Sequence, residues 1–367
     1  MKKDWEIKKL GEVAEYINGR AFKPEEWETK GLPIIRIQNL TNSSDVVNYT
    51  TKKYDEKYFI KNGDLLFAWS ASLGAYIWKG QDAWLNQHIF KVIPNQNVNK
   101  DYLFHALSWV TDILYSKTHG AVMVHVTLKP FLNTEIPVPP LEEQKRIVKI
   151  LDEKFAQLET IKANAQTNLQ NVKDLFQSQL TKAFSNTTWE KKKVSEISEN
   201  LDSKRIPITK NVRKTGQYPY YGASGIVDYV EDYIFDGKFL LVSEDGANLL
   251  ARTYPIAFIA EGKFWVNNHA HILSFKDEIT MKFVELFFSN LDISPYVTGM
   301  AQPKFNQSSL NNIEIPLPPL PEQKRIVKEL DTLSEKVRQL QEIYTKQIAN
   351  CAELKQSLLQ KAFEGEL

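Results

Sequence analysis

The sequence predicts an α+β chain built as a tandem repeat, in which a mixed α/β segment leads into a long helix and the arrangement then occurs again. Two matches at one offset predict the repeat. Residues 136–149 recur as 315–328 and residues 177–184 recur as 356–363, both 179 positions apart (315 − 136 and 356 − 177). A third observation is that residues 141–184 and 322–363 contain neither Gly nor Pro, which is typical of an uninterrupted helix.

The boundaries of the segments follow from where the matches begin. Each half opens on a Trp-Glu pair, Trp5-Glu6 and Trp189-Glu190. Each long helix follows a Pro-Pro pair, which can precede a helix but cannot lie inside one. We therefore expect a first mixed domain at 1–140, a first long helix at 141–188, a second mixed domain at 189–319 and a second long helix at 320–367.

Short apolar runs define the elements of the two mixed domains. Residues 32–37 and 64–69 in the first domain, and 238–242 and 256–260 in the second, have the composition of strands. Residues 102–110 and 282–288 have the apolar spacing of short helices. The same kind of α/β module is therefore used twice.

The long helices are amphipathic and each requires a partner, for which the other helix is the nearest candidate. Their apolar residues follow a heptad-like spacing. The predicted seam consists of Leu151, Leu158, Ile161, Leu175, Leu330, Leu333, Val337, Leu340 and Leu354. Antiparallel pairing of the two helices about a pseudo-twofold axis would make this seam a coiled coil.

Two polar residues interrupt the seam at equivalent positions, Asn168 and Gln347 (168 + 179 = 347). They could meet on the axis as a polar layer that fixes the register, or both could simply face water. Cys351 also lies on the seam, where we expect a small buried hydrophobic residue rather than a reactive thiol.

Composition excludes several classes of protein. Lys and Arg total 46 and Asp and Glu total 45, so the net charge of +1 argues against a strongly basic scaffold, although a local basic patch remains possible. One cysteine excludes a disulfide framework and a cysteine-rich zinc site. The start of the chain has no signal-peptide core and no stretch is long enough for a membrane span, so we expect a soluble, cytoplasmic protein without membrane contact.

A search for chemistry finds no enzyme site. There is no phosphate-binding loop and no dinucleotide fingerprint. Asp245 with Glu261-Gly262-Lys263 resembles a nuclease metal site only as a common chance pattern. His269-Ala270-His271 has the alternation of one strand face but no nearby Cys or carboxylate completes a zinc set, so no metal is expected. Structural or DNA-contacting roles are favoured for the six histidines, which include His119 and His125.

Basic, amide and aromatic residues cluster in loop-like stretches of both mixed domains, which favours nucleic-acid binding. Arg, Lys, Asn and Gln are the side chains that read base edges and hold phosphates. For any single residue a solvated surface position is the simpler interpretation. The repetition of the pattern in both halves makes the collective signal stronger than its members.

The doubled Pro-Pro-Leu-x-Glu-Gln-Lys-Arg-Ile-Val motif, at 139–148 and 318–327, resembles the specificity subunits of type I restriction–modification systems. The Trp-Glu-x-Lys-Lys openings, the stretch 216–225 and the stretch 31–36 are similar to that family too. The resemblance covers essentially the whole chain. It implies two target-recognition domains that each read one half of an asymmetric bipartite DNA site, and two antiparallel helices that set the spacer.

The resemblance also implies a division of labour among subunits. Two methyltransferase subunits would dock on the helices and carry out adenine N6-methylation, and restriction subunits would join through them in defence against foreign DNA. S-adenosylmethionine, ATP and magnesium would then belong to those partners, and this chain would carry no cofactor and no catalytic residue. The implied DNA-binding residues are Arg20, Arg36, Gln38, Lys204, Arg205, Arg213, Tyr220, Tyr221 and Ser224.

Two other classes of function stay open at this point. A free-standing modification enzyme or nuclease with fused specificity would need a cofactor motif, which the sequence does not show. A long-helix interaction protein without a DNA role would show no sequence-selective binding even when a methyltransferase is present.

Overall fold

The computed structural model describes residues 4–117, 128–186, 188–299 and 302–367. The chain divides into two compact units, one made of Met1–Ala165 with Lys346–Leu367 and the other of Gln166–Thr345. Within the described ranges no helix is long and apolar enough to cross a membrane. His119 and His125 lie outside the described residues, so the histidine prediction has no outcome there.

The first unit contains two four-stranded sheets. Its strands are β1 (Glu6–Lys9), β2 (Ala14–Asn18), β3 (Leu32–Ile35), β4 (Asn48–Thr50), β5 (Phe59–Ile60), β6 (Leu65–Ala68), β7 (Gly74–Ile77), β8 (Ala83–Leu85), β9 (Ile89–Pro94) and β10 (Glu135–Val138). Its helices are α1 (Leu10–Val13), α2 (Ile37–Leu40), α3 (Lys100–Lys117) and α4 (Leu128–Leu132), followed by the long α5 (Leu141–Ala183). One sheet has the antiparallel order β2-β9-β6-β7. The other has the order β4-β3-β8-β5, in which β3 and β8 run parallel.

The second unit is built around one six-stranded sheet. Its strands are β11 (Lys191–Lys193), β12 (Ser198–Asn200), β13 (Thr215–Gly222), β14 (Gly225–Val230), β15 (Phe235–Ser243), β16 (Ala257–Val266), β17 (Ala270–Phe275) and β18 (Glu314–Pro316). Its helices are α6 (Val194–Ile197), α7 (Asn248–Ala251), α8 (Glu278–Asn290) and α9 (Gln307–Asn311), followed by the long α10 (Leu320–Glu364). The sheet order is β12-β17-β15-β16-β13-β14, and β13 runs parallel to β16.

The strands and helices predicted from apolar runs are confirmed, with one local difference. The predicted strand 32–37 ends at Ile35, because the chain turns at Arg36 into the short helix α2. The side-chain oxygen of Asn39 accepts a hydrogen bond from the Arg36 backbone N–H at 3.0 Å and so closes that turn. The chain therefore leaves the sheet at the residue where the predicted binding residues begin.

Each mixed domain is closed by pairing its opening with the strand before the Pro-Pro pair. In the first unit β1 pairs antiparallel with β10, and in the second unit β11 pairs antiparallel with β18. The Trp-Glu opening and the Pro-Pro motif therefore recur together because they are two sides of the same strand pair.

The repeated Glu-Gln pair has a specific structural role at the start of each long helix. Gln144 is fully buried, and its side-chain amide donates to the carbonyls of Pro139 at 2.8 Å and Asn97 at 3.0 Å. Its equivalent Gln323 donates to the Pro318 carbonyl at 2.8 Å and accepts from the Thr280 hydroxyl at 3.0 Å. A buried amide with satisfied hydrogen bonds fixes the helix start to its own domain.

In the first unit the end of α10 runs antiparallel to the start of α5. Arg146 near the start of α5 donates to the carbonyl of Leu367 at 2.6 Å, and Glu159, further along α5, lies 3.8 Å from the Lys355 ammonium. Phe363 of α10 is buried in the same core as Leu151 of α5. The C-terminal residues 346–367 thus complete the core of the first unit.

The predicted seam is correct at only some of its positions. Leu151, Leu330 and Val337 are buried, and Leu158 and Leu333 are half-buried. The exposed members are Ile161, Leu175, Leu340 and Leu354. The correction has a physical cause: near their ends both helices bury the face that packs on the adjacent mixed domain, and a straight helix of 3.6 residues per turn does not keep a strict heptad stripe on that side.

The remaining seam residues follow the simpler readings. Asn168 and Gln347 are both exposed, which agrees with the interpretation that they face water. Cys351 is buried, as expected for a small hydrophobic side chain. The first long helix ends at Ala183, before the end of the segment 141–188 expected from the sequence.

Candidate nucleic-acid interface

A depression in the first unit lies where two parallel strands end. Strand β3 pairs in parallel with β8, with Ile35 opposite Leu85, so the residues that follow both strands meet at one sheet edge. The depression has a volume of about 230 Å³. It is lined by Arg36, Ile37, Gln38, Asn86, Gln87 and His88.

The second unit forms a depression from the same two elements. Strand β13 pairs in parallel with β16, with Tyr221 opposite Val266. The depression has a volume of about 440 Å³, and its polar lining consists of Ser224, Asp245, Asn248, Asn267 and His269. Gly222, Ala223, Val227, Gly246 and Ala247 form the rest of the lining.

The strand registers make the two depressions equivalent residue by residue. Residues 36–38 correspond to 222–224, and residues 86–88 correspond to 267–269. The same backbone bond confirms the match, since Asn86 N–H donates to the Ile35 carbonyl and Asn267 N–H to the Tyr221 carbonyl, both at 3.0 Å. One backbone framework therefore presents two different sets of side chains.

Three of the predicted binding residues line these depressions. Arg36 and Gln38 belong to the first and Ser224 to the second. The Arg36 guanidinium lies 5.6 Å from the Trp27 ring, and Lys204 has an exposed side chain outside the depressions. Guanidinium, amide and hydroxyl groups at an open sheet edge are the chemistry that base edges and phosphates require.

Arg20 is placed differently from its prediction. Its guanidinium makes a bidentate ion pair with Glu26, at 2.8 and 3.1 Å, and lies 4.2 Å from the centre of the Tyr54 ring. The Arg20 hydrogen bond is the largest cause that lowers the pKa of Glu26 to about 2. The charge of Arg20 is therefore neutralised within the first unit.

Arg205 is likewise committed to the interior of the second unit. Its side chain is only 13% exposed and donates to Glu244 at 2.7 Å and to the carbonyl of Ala270 at 2.9 Å. Asp202 lies 3.3 Å from the same guanidinium. These contacts correct the expectation that Arg205 faces DNA, because a buried charge surrounded by its partners is not available to a ligand.

The remaining predicted residues of the second unit support the loop rather than face outward. Tyr220 is fully buried, and its hydroxyl accepts from Ile208 N–H at 3.0 Å. Arg213 stacks over the Tyr220 ring at 4.3 Å and donates to Asp228 at 3.1 Å. Tyr221 packs edge-on against an aromatic ring of the core, and burial raises the pKa of its hydroxyl.

Sequence reasoning missed the carboxylates that lie beside two histidines. His269 Nδ1 lies 2.9 Å from Asp245, at the second depression, and His271 Nδ1 lies 2.5 Å from Asp202 in the interior. Both carboxylates are distant in sequence, so spacing could not reveal them. Burial opposes the charged form of Asp202, but the His271 hydrogen bond outweighs it and lowers the pKa of that carboxyl.

Two metal-site patterns resolve into other structures. Asp202, Glu244 and His271 offer atoms within 4.8 Å of one another, but the Arg205 guanidinium already occupies the space between the carboxylates as their cation. The strand register sets Glu261 opposite Lys238, whereas Asp245 follows the opposite end of β15. The nuclease-like pattern is therefore spread over about 13 Å of strand, four residues at ~3.3 Å each.

Comparison with known proteins gives the family. The model of the type I restriction modification DNA specificity domain matches the chain twice, over residues 2–170 and 186–348. A putative type I restriction enzyme specificity subunit of Haemophilus influenzae is 37% identical over 155 residues, which is 42% of this chain and 40% of that protein. The EcoBI specificity subunit of Escherichia coli is 24% identical over 404 residues, 98% of this chain and 85% of that protein.

A solved structure agrees on the fold. A chain from a study of complex assembly and conformational transition in a type I restriction–modification system has a TM-score of 0.79 at 20% identity, covering 100% of this chain and 99% of that one. Two mixed domains with long helices, each carrying the same depression, define a tandem specificity-domain protein. The chain belongs to the type I restriction–modification DNA specificity family, since the two family matches cover most of its length.

Proposed function

We propose that this chain is the DNA-specificity subunit of a type I restriction–modification complex, in which each unit reads one half of a bipartite duplex site. The observation that carries the proposal is the repeated depression, which offers different side chains on one backbone framework in the two units. A protein that reads two different half-sites needs such an arrangement. Membership of the specificity family supports the same conclusion.

The depressions carry side chains suited to base edges. Arg36 can donate twice to a guanine edge, Gln38 can pair with adenine, and Ser224 can contact either kind of base. Lys204 is exposed and has the charge to hold a phosphate. Arg20, Arg205 and Arg213 support these surfaces through intramolecular bonds, and their part in DNA binding is to position the loops.

We further propose that catalysis belongs to partner subunits. Two methyltransferase subunits would dock on the long helices and transfer a methyl group from S-adenosylmethionine to adenine N6. Restriction subunits, with ATP and magnesium, would join through them. Support comes from α5 and α10, whose exposed Ile161, Leu175, Leu340 and Leu354 offer apolar surface to other subunits. The proposed work on duplex DNA places the complex in the cytoplasm.

The decisive experiment is co-expression of the chain with the methyltransferase encoded beside it, followed by mapping of methylated adenines. We expect methylation at one bipartite site whose two halves differ. Native mass spectrometry of the same complex should show two methyltransferase subunits per chain. A site with two identical palindromic halves, or saturation with a single methyltransferase, would contradict the corresponding part of the proposal.

The same preparation separates the competing classes. A free-standing modification enzyme would methylate DNA when this chain alone receives S-adenosylmethionine, and we expect no methylation from it alone. A structural protein would leave the methylation pattern random when it is co-expressed. Deletion of one heptad from both long helices should shorten the spacer of the recognised site or abolish binding, and an unchanged spacer would show that the helices do not set it.

A further inference from the structure

The two equivalent depressions contain the same Asn-x-His turn in two different states. In the second unit the side-chain oxygen of Asn267 accepts the His269 backbone N–H at 2.8 Å. The His269 ring is then held by Asp245 at 2.9 Å. The polar groups of this turn are therefore satisfied within the second unit itself.

In the first unit the equivalent turn leaves polar atoms without partners. The Asn86 side chain is 8% exposed, and its Oδ1 atom makes no hydrogen bond to any of the described residues. His88 Nδ1 is also buried and without a partner within the same ranges. Buried polar atoms are satisfied in the great majority of cases, so two orphans in one depression indicate a site completed by a ligand.

The backbone of the turn supports this interpretation. His88 has a φ of 74°, in the left-handed region that a non-glycine residue adopts only at a cost, and its ring is held 4.9 Å from the Trp69 ring. Such conformations persist where the surrounding structure holds them, often at ligand sites. The carbonyl of His88 is in turn bonded by Trp69 N–H at 3.1 Å, so the strained residue is fixed from both sides.

Resting on the proposed function, we propose that Asn86 and His88 are specificity-determining residues of the first half-site. Asn86 Oδ1 accepts a hydrogen bond from the exocyclic amino group of one base, adenine or cytosine, presented in the major groove. Guanine and thymine present only acceptors at that position of the groove and are rejected. Arg36, on the facing wall of the depression, supplies donors to acceptor atoms of the neighbouring edge.

The first test changes the DNA and leaves the protein intact. Once the half-sites have been mapped for the complex with its methyltransferase, each adenine and cytosine of the first half-site is replaced in turn by an analogue that lacks the exocyclic amino group. We expect one position at which the replacement weakens binding on the order of tenfold or more. If no position of the first half-site depends on its amino group, the proposal is wrong.

The second test links that position to Asn86. Asn86→Leu keeps the approximate volume and removes the acceptor, so it should broaden the base preference at that position and leave the second half-site unchanged. Asn86→Asp keeps the acceptor and should retain the preference with weaker overall binding. Gln96→Leu makes the same kind of change at an exposed amide of the first unit and should alter nothing.

The outcomes separate this inference from the function beneath it. If the parent complex yields no bipartite site, the proposed function fails. If it yields a bipartite site and Asn86→Leu binds all sequences more weakly without a change of preference, Asn86 is merely structural and this inference alone fails. If Asn86→Leu does not fold, the Asn86→Asp variant decides, because a switch of its preference to guanine or thymine would overturn the proposal.

Discussion

Replacement of Arg205 by Met distinguishes a structural arginine from a DNA-reading one. The change keeps the apolar stem and removes the guanidinium that lies between Asp202 and Glu244, whose side chains are only 6% and 13% exposed. It also leaves the Ala270 carbonyl without that donor. Two carboxylates would then share the interior without their cation, and breaking a buried pair in this way costs about 3–5 kcal/mol of unfolding free energy.

The assay is denaturant unfolding of the full chain, combined with hydrogen exchange of the peptides that contain β12 and β17. Lys204→Met is the matched control, because Lys204 is the adjacent residue and is exposed, and a surface change of this kind shifts stability by about 0.5 kcal/mol or less. We expect faster exchange in β12 and β17 for Arg205→Met and little change for the control. The Arg205→Met/Glu244→Gln double variant should recover part of the loss, since it removes one of the two unpaired charges.

One result would refute the reasoning. If Arg205→Met unfolds within about 0.5 kcal/mol of the parent while its complex loses sequence preference at a single base position, Arg205 contacts DNA and the interior ion network is unimportant for stability. Loss of stability without a change in the recognised bases is the outcome that the structure requires.

Three further predictions concern the first unit. Phe363→Ala should cost about 3–5 kcal/mol, because Phe363 is buried, whereas Leu354→Ala at an exposed position should cost much less; equal effects in denaturant unfolding would contradict the packing of the C-terminal segment. Since the pKa of Glu26 falls from 4.5 to about 2, its pairing with Arg20 stabilises the fold above pH 4.5, and this contribution is lost as the pH falls towards 2. Thermal melts through the acid range should show a flatter pH dependence for Glu26→Gln, and an unchanged dependence would oppose it. Cys351 is buried, so a thiol reagent should label it slowly until denaturant is added; rapid labelling of the folded chain would place the thiol at the surface.

The repeat was readable from the sequence because the residues that build it are local. Pro-Pro before a helix, an amide three residues into it and a Trp-Glu opening all act over short distances, and the structure joins them through β1–β10, β11–β18, Gln144 and Gln323. The heptad seam was less reliable, because burial at each helix end depends on the domain packed beside it, which periodicity alone does not describe.

The individual binding residues were harder to predict for a different reason. Residue type indicates what an arginine can bind but not which carboxylate already neutralises it. Arg205 pairs with Glu244, 39 residues away, and Arg213 pairs with Asp228, 15 residues away. Arg36 and Gln38 escape this fate because they follow the end of β3 directly and open into the depression. Position relative to a strand end was the informative signal.

The equivalence of the depressions explains why the two half-sites should differ and why one cannot be converted into the other by a single change. Arg36 corresponds to Gly222, so the residue best suited to a guanine edge in the first unit has no side chain at all in the second. A Cβ atom at Gly222 would lie 2.9 Å from Val227 Cγ1 and 3.3 Å from the Asn267 amide nitrogen. An arginine there would therefore displace the β13–β14 hairpin or the Asn267 turn before it reached a base. Specificity in this fold is a property of the whole loop that follows the parallel strand, so it should be exchanged between proteins as a segment rather than residue by residue.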